Sequence, residues 1–126
     1  MKENVRFYKC TKCNNVIGLI DGEINKIKCC EEEMEAMIAN TTDASQEKHI
    51  PVYEKVEDEL VVKVGEVEHP MEKEHYIMWI ALVGQNKTIR VRLYPEQATE
   101  TRFPYIPGAT LYAYCNKHGL WKTIID

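Results

Sequence analysis

Four of the five cysteines fall within the first thirty residues, as Cys10-Thr11-Lys12-Cys13 and then the adjacent pair Cys29-Cys30. No other feature limits the fold as tightly. A segment of about forty residues buries too little apolar surface to fold readily alone, so a cross-link must supply part of its folding free energy. The C-x-x-C spacing lets two thiolates converge on one tetrahedral ion, and four soft ligands imply zinc or iron. Disulfides are the weaker reading, because five cysteines leave one over and the expected compartment is reducing. A structural zinc ribbon fits the first half of the pattern. The adjacent Cys29 and Cys30 depart from a ribbon's second C-x-x-C and predict a distorted tetrahedron, which matters more for a redox iron than for zinc.

Charge narrows the function classes. A formal net charge of -4 and a pI near 5.6 argue against nucleic acid as a partner, since phosphate binding needs clustered Lys and Arg. Residues 1 to 20 include Lys2, Glu3, Arg6, Lys9 and Lys12 with two cysteines, a pattern that matches neither a signal peptide nor a membrane span. A cytoplasmic protein with no membrane role is expected.

Cysteines and histidines are segregated along the chain. All four histidines, His49, His69, His75 and His118, come later, together with Cys115. Between the groups, Asn40-Thr41-Thr42-Asp43-Ala44-Ser45-Gln46 lacks apolar periodicity and reads as a connector. Two domains are expected, residues 1–39 and 40–126. In the second, Ile89, Val91 and Leu93 alternate with Thr88, Arg90 and Arg92, the period-two pattern of a strand with one wet face. Residues 76–83 are apolar on both faces and suit a central strand, and residues 60–64, 110–114 and 121–125 predict further strands. Turn signals at Gly65, Gly84-Gln85-Asn86, Pro104, Pro107-Gly108 and Gly119 separate them. The fold class is therefore mainly β, with an immunoglobulin-like antiparallel sandwich as the second domain. In the first, residues 6–9, 16–20 and 24–28 predict short strands, with Asp21-Gly22 as a hairpin turn.

Each histidine alone reads as an ordinary surface or core residue. Together, with His49, His69 and Cys115 at or beyond the ends of predicted strands and His118 in the next turn, the residues His49, His69, His75, Cys115 and His118 form a second donor set, because loop ends are where a rigid sandwich presents ligands. Five protein donors around an octahedral ion leave one position vacant, which points to substrate chemistry rather than a closed structural site. Neutral imidazoles and one thiolate leave a ferrous centre with a net charge near plus one. A small anion is drawn to such a centre, and Lys48 strengthens the attraction.

These residues together resemble the desulfoferrodoxin form of superoxide reductase. The resemblance spans essentially the whole chain and rests on C-x-x-C followed by C-C, on Glu47-Lys48-His49-Ile50-Pro51, on His69-Pro70-Met71 with His75, and on Cys115-Asn116-Lys117-His118-Gly119. It implies a desulforedoxin-like domain whose Cys10, Cys13, Cys29 and Cys30 hold one iron. It implies a second, catalytic iron with His49, His69, His75 and His118 in its equatorial plane and Cys115 as axial ligand. The implied reaction is one-electron reduction of superoxide to hydrogen peroxide by a homodimer that draws electrons from rubredoxin. Lys48 would steer the anion and orient a water, and Glu47 would take the sixth position of the oxidised metal. From the residues alone, Glu47 reads first as a solvated surface charge beside Lys48.

Relatives commonly carry glycine after the C-x-x-C and after the adjacent cysteines, where this chain has Asn14 and Glu31. Asn tolerates a left-handed backbone, whereas Glu does so less easily and adds negative charge beside the thiolates. The backbone N–H groups of Asn116, Lys117 and His118 are candidate donors to the Cys115 sulfur. The run Glu31-Glu32-Glu33 reads as a solvated face before a docking surface. Tyr76, Trp79, Tyr112, Tyr114 and Trp121 read as core packing. A non-enzymatic iron electron carrier, a structural zinc protein and a superoxide dismutase are the rival functions.

Overall fold

The computed structural model describes residues 7–20 and 27–126. The chain divides into two compact units, residues 1–38 and 39–126.

In the first unit, β1 (Phe7–Lys9) pairs antiparallel with β2 (Val16–Gly18) on one side and β5 (Glu35–Ala36) on the other. A two-stranded hairpin joins β3 (Lys28–Cys29) to β4 (Glu32–Glu33). The expected strand at residues 16–20 stops at Gly18, and Ile20 is 93% exposed. Arg6, the Asp21-Gly22 turn and residues 24–26 of the expected third strand lie outside the described residues. The acidic run is partly structural, since Glu32 and Glu33 form β4 and Glu32 pairs with Lys12 at 3.3 Å across an exposed surface.

The second unit is a two-sheet sandwich. A single helical turn, α1 (Gln46–His49), leads into β6 (Pro51–Val56), which pairs with β7 (Glu59–Val64), and β7 in turn pairs with β10 (Thr101–Pro104). The facing sheet has the order β12-β11-β8-β9, from β8 (Ile77–Val83), β9 (Thr88–Arg92), β11 (Thr110–Cys115) and β12 (Gly119–Ile124). Every one of these pairings is antiparallel. Leu60, Val62 and Val64 of β7 alternate inward to meet Ile80, Leu82, Leu111 and Phe103, so both sheets contribute to one apolar core.

Pro104, read from the sequence as a turn, is the last residue of β10. β10 lies at a sheet edge, where the missing N–H costs no ladder hydrogen bond. Two pairings fix the site's position. Pro51 opposes Val64, which brings the start of β6 beside the end of β7, and Ile77 opposes Cys115, which brings the start of β8 beside the end of β11. All the chain segments that carry histidines therefore emerge at one end of the sandwich.

Candidate metal centres

In the second unit, His49 ends α1, His69 and His75 lie between β7 and β8, Cys115 ends β11, and His118 sits in the turn before β12. One donor atom from each lies within 4.8 Å of every other. His49 Nε2 is 3.0 Å from His69 Nε2 and 3.1 Å from His118 Nδ1. Metal–nitrogen bonds of about 2.1 Å would put neighbouring donors of an octahedron about 3.0 Å apart. Four ring pairs, His49–His69, His69–His75, His75–His118 and His118–His49, meet edge to face with centroids 4.5 to 4.9 Å apart. His49 and His75 are nearly parallel at 6.4 Å. That is the order of four imidazoles around a square.

Protonation decides what the square is for. His49 Nδ1 lies 2.6 Å from the Ser45 carbonyl and His69 Nδ1 lies 2.7 Å from the Pro70 carbonyl. A carbonyl only accepts, so each Nδ1 carries the proton and each neutral Nε2 presents a lone pair. Two lone pairs 3.0 Å apart repel unless a cation lies between them. Burial also depresses His49, His69 and His75 below the ordinary value of 6.5, His69 to about 4, so the rings favour the neutral, ligating form. His75 Nε2 is buried without a hydrogen-bond partner. The donor set fits a bound metal ion.

Cys115 is fully buried, and burial pushes its thiol up, opposed by hydrogen bonds from the N–H groups of Lys117 and His118. The Asn116 N–H, expected at the sulfur, instead donates to the Tyr76 carbonyl at 3.2 Å. Glu47 and Lys48 occupy the exposed turn before His49. The Glu47 carboxylate is not among the converging donors, although its carbonyl accepts the Val67 N–H at 3.1 Å. The charge of Lys48 contributes to the depression of His49, which places it within electrostatic reach of the ring.

Some supports had no readable signal. Trp121, read only as core, stacks on the His49 ring at 5.0 Å and donates from Nε1 to the His118 carbonyl at 3.0 Å, so it braces two donors. Gly65, read as a turn, has φ 83°, and a Cβ there would fall 2.6 Å from the Lys48 carbonyl oxygen. A glycine after a strand signals a turn but not what approaches it.

In the first unit, Cys10, Cys13, Cys29 and Cys30 also bring their sulfurs within 4.8 Å of one another. Cys13 Sγ is 3.5 Å from Cys29 Sγ, and Cys29 Sγ is 4.0 Å from Cys30 Sγ. A tetrahedron of metal–sulfur bonds of about 2.3 Å has edges of about 3.8 Å, so these spacings fit one ion. Hydrogen bonding, led by the Cys13 N–H, lowers Cys10 to about 7, whereas sharing a proton with Cys13 and Cys10 raises Cys30 to about 12. Four thiols this close cannot all ionise without a cation. The adjacency of Cys29 and Cys30 is accommodated by left-handed backbone at Cys30 (φ 52°), Glu31 (φ 64°) and Asn14 (φ 62°).

The desulfoferrodoxin family model matches residues 41–124. The chain belongs to the desulfoferrodoxin family. It is 43% identical over 124 residues to the desulfoferrodoxin of Syntrophotalea carbinolica, covering 98% of both chains. It is 45% identical to that of Desulfarculus baarsii, covering 97% and 98%. The fold matches the crystal structure of the superoxide reductase from Treponema pallidum with a TM-score of 0.75 at 32% identity, over 96% of this chain and 99% of that one. The two donor sets of this desulfoferrodoxin family member, one of four cysteines and one of four histidines with a cysteine, match the family's two iron centres.

Proposed function

We propose that this chain is a superoxide reductase, which adds one electron and two protons to superoxide and releases hydrogen peroxide. The observation that carries the reading is the square of four imidazoles with a single buried cysteine, five donors that would hold one metal ion and leave room for one small ligand. His49, His69, His75, His118 and Cys115 would hold an iron ion, which would supply the electron.

The protein's own groups set the conditions for that transfer. The Ser45 and Pro70 carbonyls fix the tautomers that leave the Nε2 atoms of His49 and His69 free to bind metal, burial favours the neutral form of both rings, and Trp121 fixes the plane of His49. The N–H groups of Lys117 and His118 moderate the charge on the Cys115 sulfur. Lys48, exposed beside His49, attracts the anion and orients water as the proton source, since a cation near an open site raises the local concentration of anions. Glu47 offers a hard carboxylate to the same face once product has left. Cys10, Cys13, Cys29 and Cys30 would hold the other iron in the first unit. A rubredoxin-like donor, a homodimeric state and a cytoplasmic location complete the proposal.

The test is an anaerobic preparation in which iron and zinc per chain are quantified and the reduced protein is given a superoxide pulse. Two irons, a thiolate-to-ferric charge-transfer band and stoichiometric peroxide without oxygen release are expected. Zinc in both sites, or iron that superoxide leaves reduced, would overturn the assignment and favour a structural protein or an electron carrier. Release of oxygen with peroxide would identify a dismutase.

A further inference from the structure

Three of the four histidines have a visible brace. His49 and His69 are oriented by carbonyls, and His118 has its own carbonyl held by Trp121. Among the described residues no carbonyl plays that part for the His75 ring, whose Nε2 is buried and unpartnered. The position of His75 therefore depends on its backbone. Glu72 and His75 exchange N–H to carbonyl hydrogen bonds at 3.0 and 3.1 Å, which closes a tight turn. What attaches that turn to the rest of the site is Asn116. Its Nδ2 donates to the Glu74 carbonyl at 2.9 Å, its Oδ1 accepts the Tyr76 N–H at 3.0 Å, and its backbone N–H donates to the Tyr76 carbonyl at 3.2 Å. The residues on both sides of His75 are thus tied to the residue that follows Cys115.

The register explains why a side chain is needed. The β8–β11 ladder runs regularly from Val83 to Trp79 and then slips, with Tyr114 opposite Trp79 but Cys115 opposite Ile77. Past that irregularity one backbone bond, from the Asn116 N–H to the Tyr76 carbonyl, remains, and the Tyr76 N–H and the Glu74 carbonyl find their partner in a side chain. A side-chain amide presents one donor and one acceptor, as a peptide group does, and so continues the ladder for one more step.

We propose that Asn116 is a positioning residue that fixes His75 relative to Cys115 and thereby sets the affinity and electronic character of the second metal centre. The inference rests on the iron reading given above. Asp in its place keeps the acceptor for Tyr76 but sets a carboxylate against the Glu74 carbonyl, and Ala removes both bonds.

The experiment compares wild type with Asn116→Ala, Asn116→Asp and Asn40→Ala. Asn40 is the internal control, because its amide makes the same two-bond bridge, to the N–H and carbonyl of Lys122 at 2.9 and 3.3 Å, and neither residue is one of the five donors. Ferrous iron affinity is measured by competition with a chelator. The oxidised forms are then compared by absorption and electron paramagnetic resonance. Asn116→Ala is expected to lose about 10- to 100-fold in iron affinity, the usual cost of removing support behind a metal ligand, with a shifted charge-transfer band and altered resonance. Asn116→Asp is expected to show a smaller change in the same direction, and carries the test should the alanine variant not fold. Asn40→Ala should lower Tm and leave affinity and both spectra unchanged. Asn116 variants that lower Tm but keep wild-type affinity and spectra would overturn the inference while leaving the iron reading intact. A wild-type second site that takes up no iron would remove both.

Discussion

Glu31, at φ 64°, directly follows Cys30 at φ 52°, two consecutive non-glycine residues in left-handed backbone beside a four-thiol site. That conformation costs an L residue about 1–2 kcal/mol, and glycine largely avoids the cost. Glu31→Gly is expected to stabilise the metal-loaded first unit by about 1 kcal/mol, less than the full strain because glycine is freer when unfolded. The denaturation midpoint reads this, and Glu31→Ala, which removes charge but keeps the Cβ, should give no such gain. The histidines yield a second residue-level expectation. Because His69 falls from 6.5 to about 4 on burial, with His49 and His75 shifted the same way, the unfolded chain binds more protons than the folded one between those pH values. Stability of chelator-stripped protein should be complete above about pH 6.5 and decline as pH falls through that window. Urea midpoints against pH test this, and His69→Gln should flatten the decline.

At the level of elements, β7 and the turn that carries His49 meet at Gly65. Its φ is 83°, and a Cβ at that position would lie 2.5 and 2.6 Å from the Val67 and Lys48 carbonyl oxygens, which leaves no room for a side chain. Gly65→Ala is expected to cost about 1–3 kcal/mol and to weaken iron binding, since the turn must move. Gly108→Ala, also at positive φ but with nothing within 4 Å, should show strain without loss of iron. Which elements were legible follows from length and environment. β9 and β8 were readable because five and seven residues give room for alternation or for a continuous apolar run. β3, β4 and β5, two residues each, carry no period at all. β6 and β10 were missed because exposed charged residues and proline mask them, and both are edge strands, where such residues are tolerated.

For the whole molecule, a net charge of -4 repels anions at long range, and on the proposed reading the local cations Lys48, whose charge lowers His49, and Lys117, whose charge lowers His75, oppose that repulsion at the site. Lys48→Ala is expected to slow association severalfold at low ionic strength and to flatten the dependence of the rate on salt, because the screened attraction is then absent. Pulse radiolysis over a salt series would show it, and an unchanged salt slope would dismiss steering by this residue. The donor inventory was written in the sequence: side-chain identity and local spacing carry ligand chemistry, so C-x-x-C with C-C, and four histidines with one later cysteine, name two sites before any fold is known. Tertiary structure alone decided how those donors meet. Pro51 against Val64 and Ile77 against Cys115 bring segments from both sheets to one end of the sandwich, and the carbonyls of Ser45 and Pro70, the Trp121 ring and the Asn116 amide then orient them. Those contacts join residues up to tens of positions apart through strand register and packing, quantities that no local pattern of residues encodes.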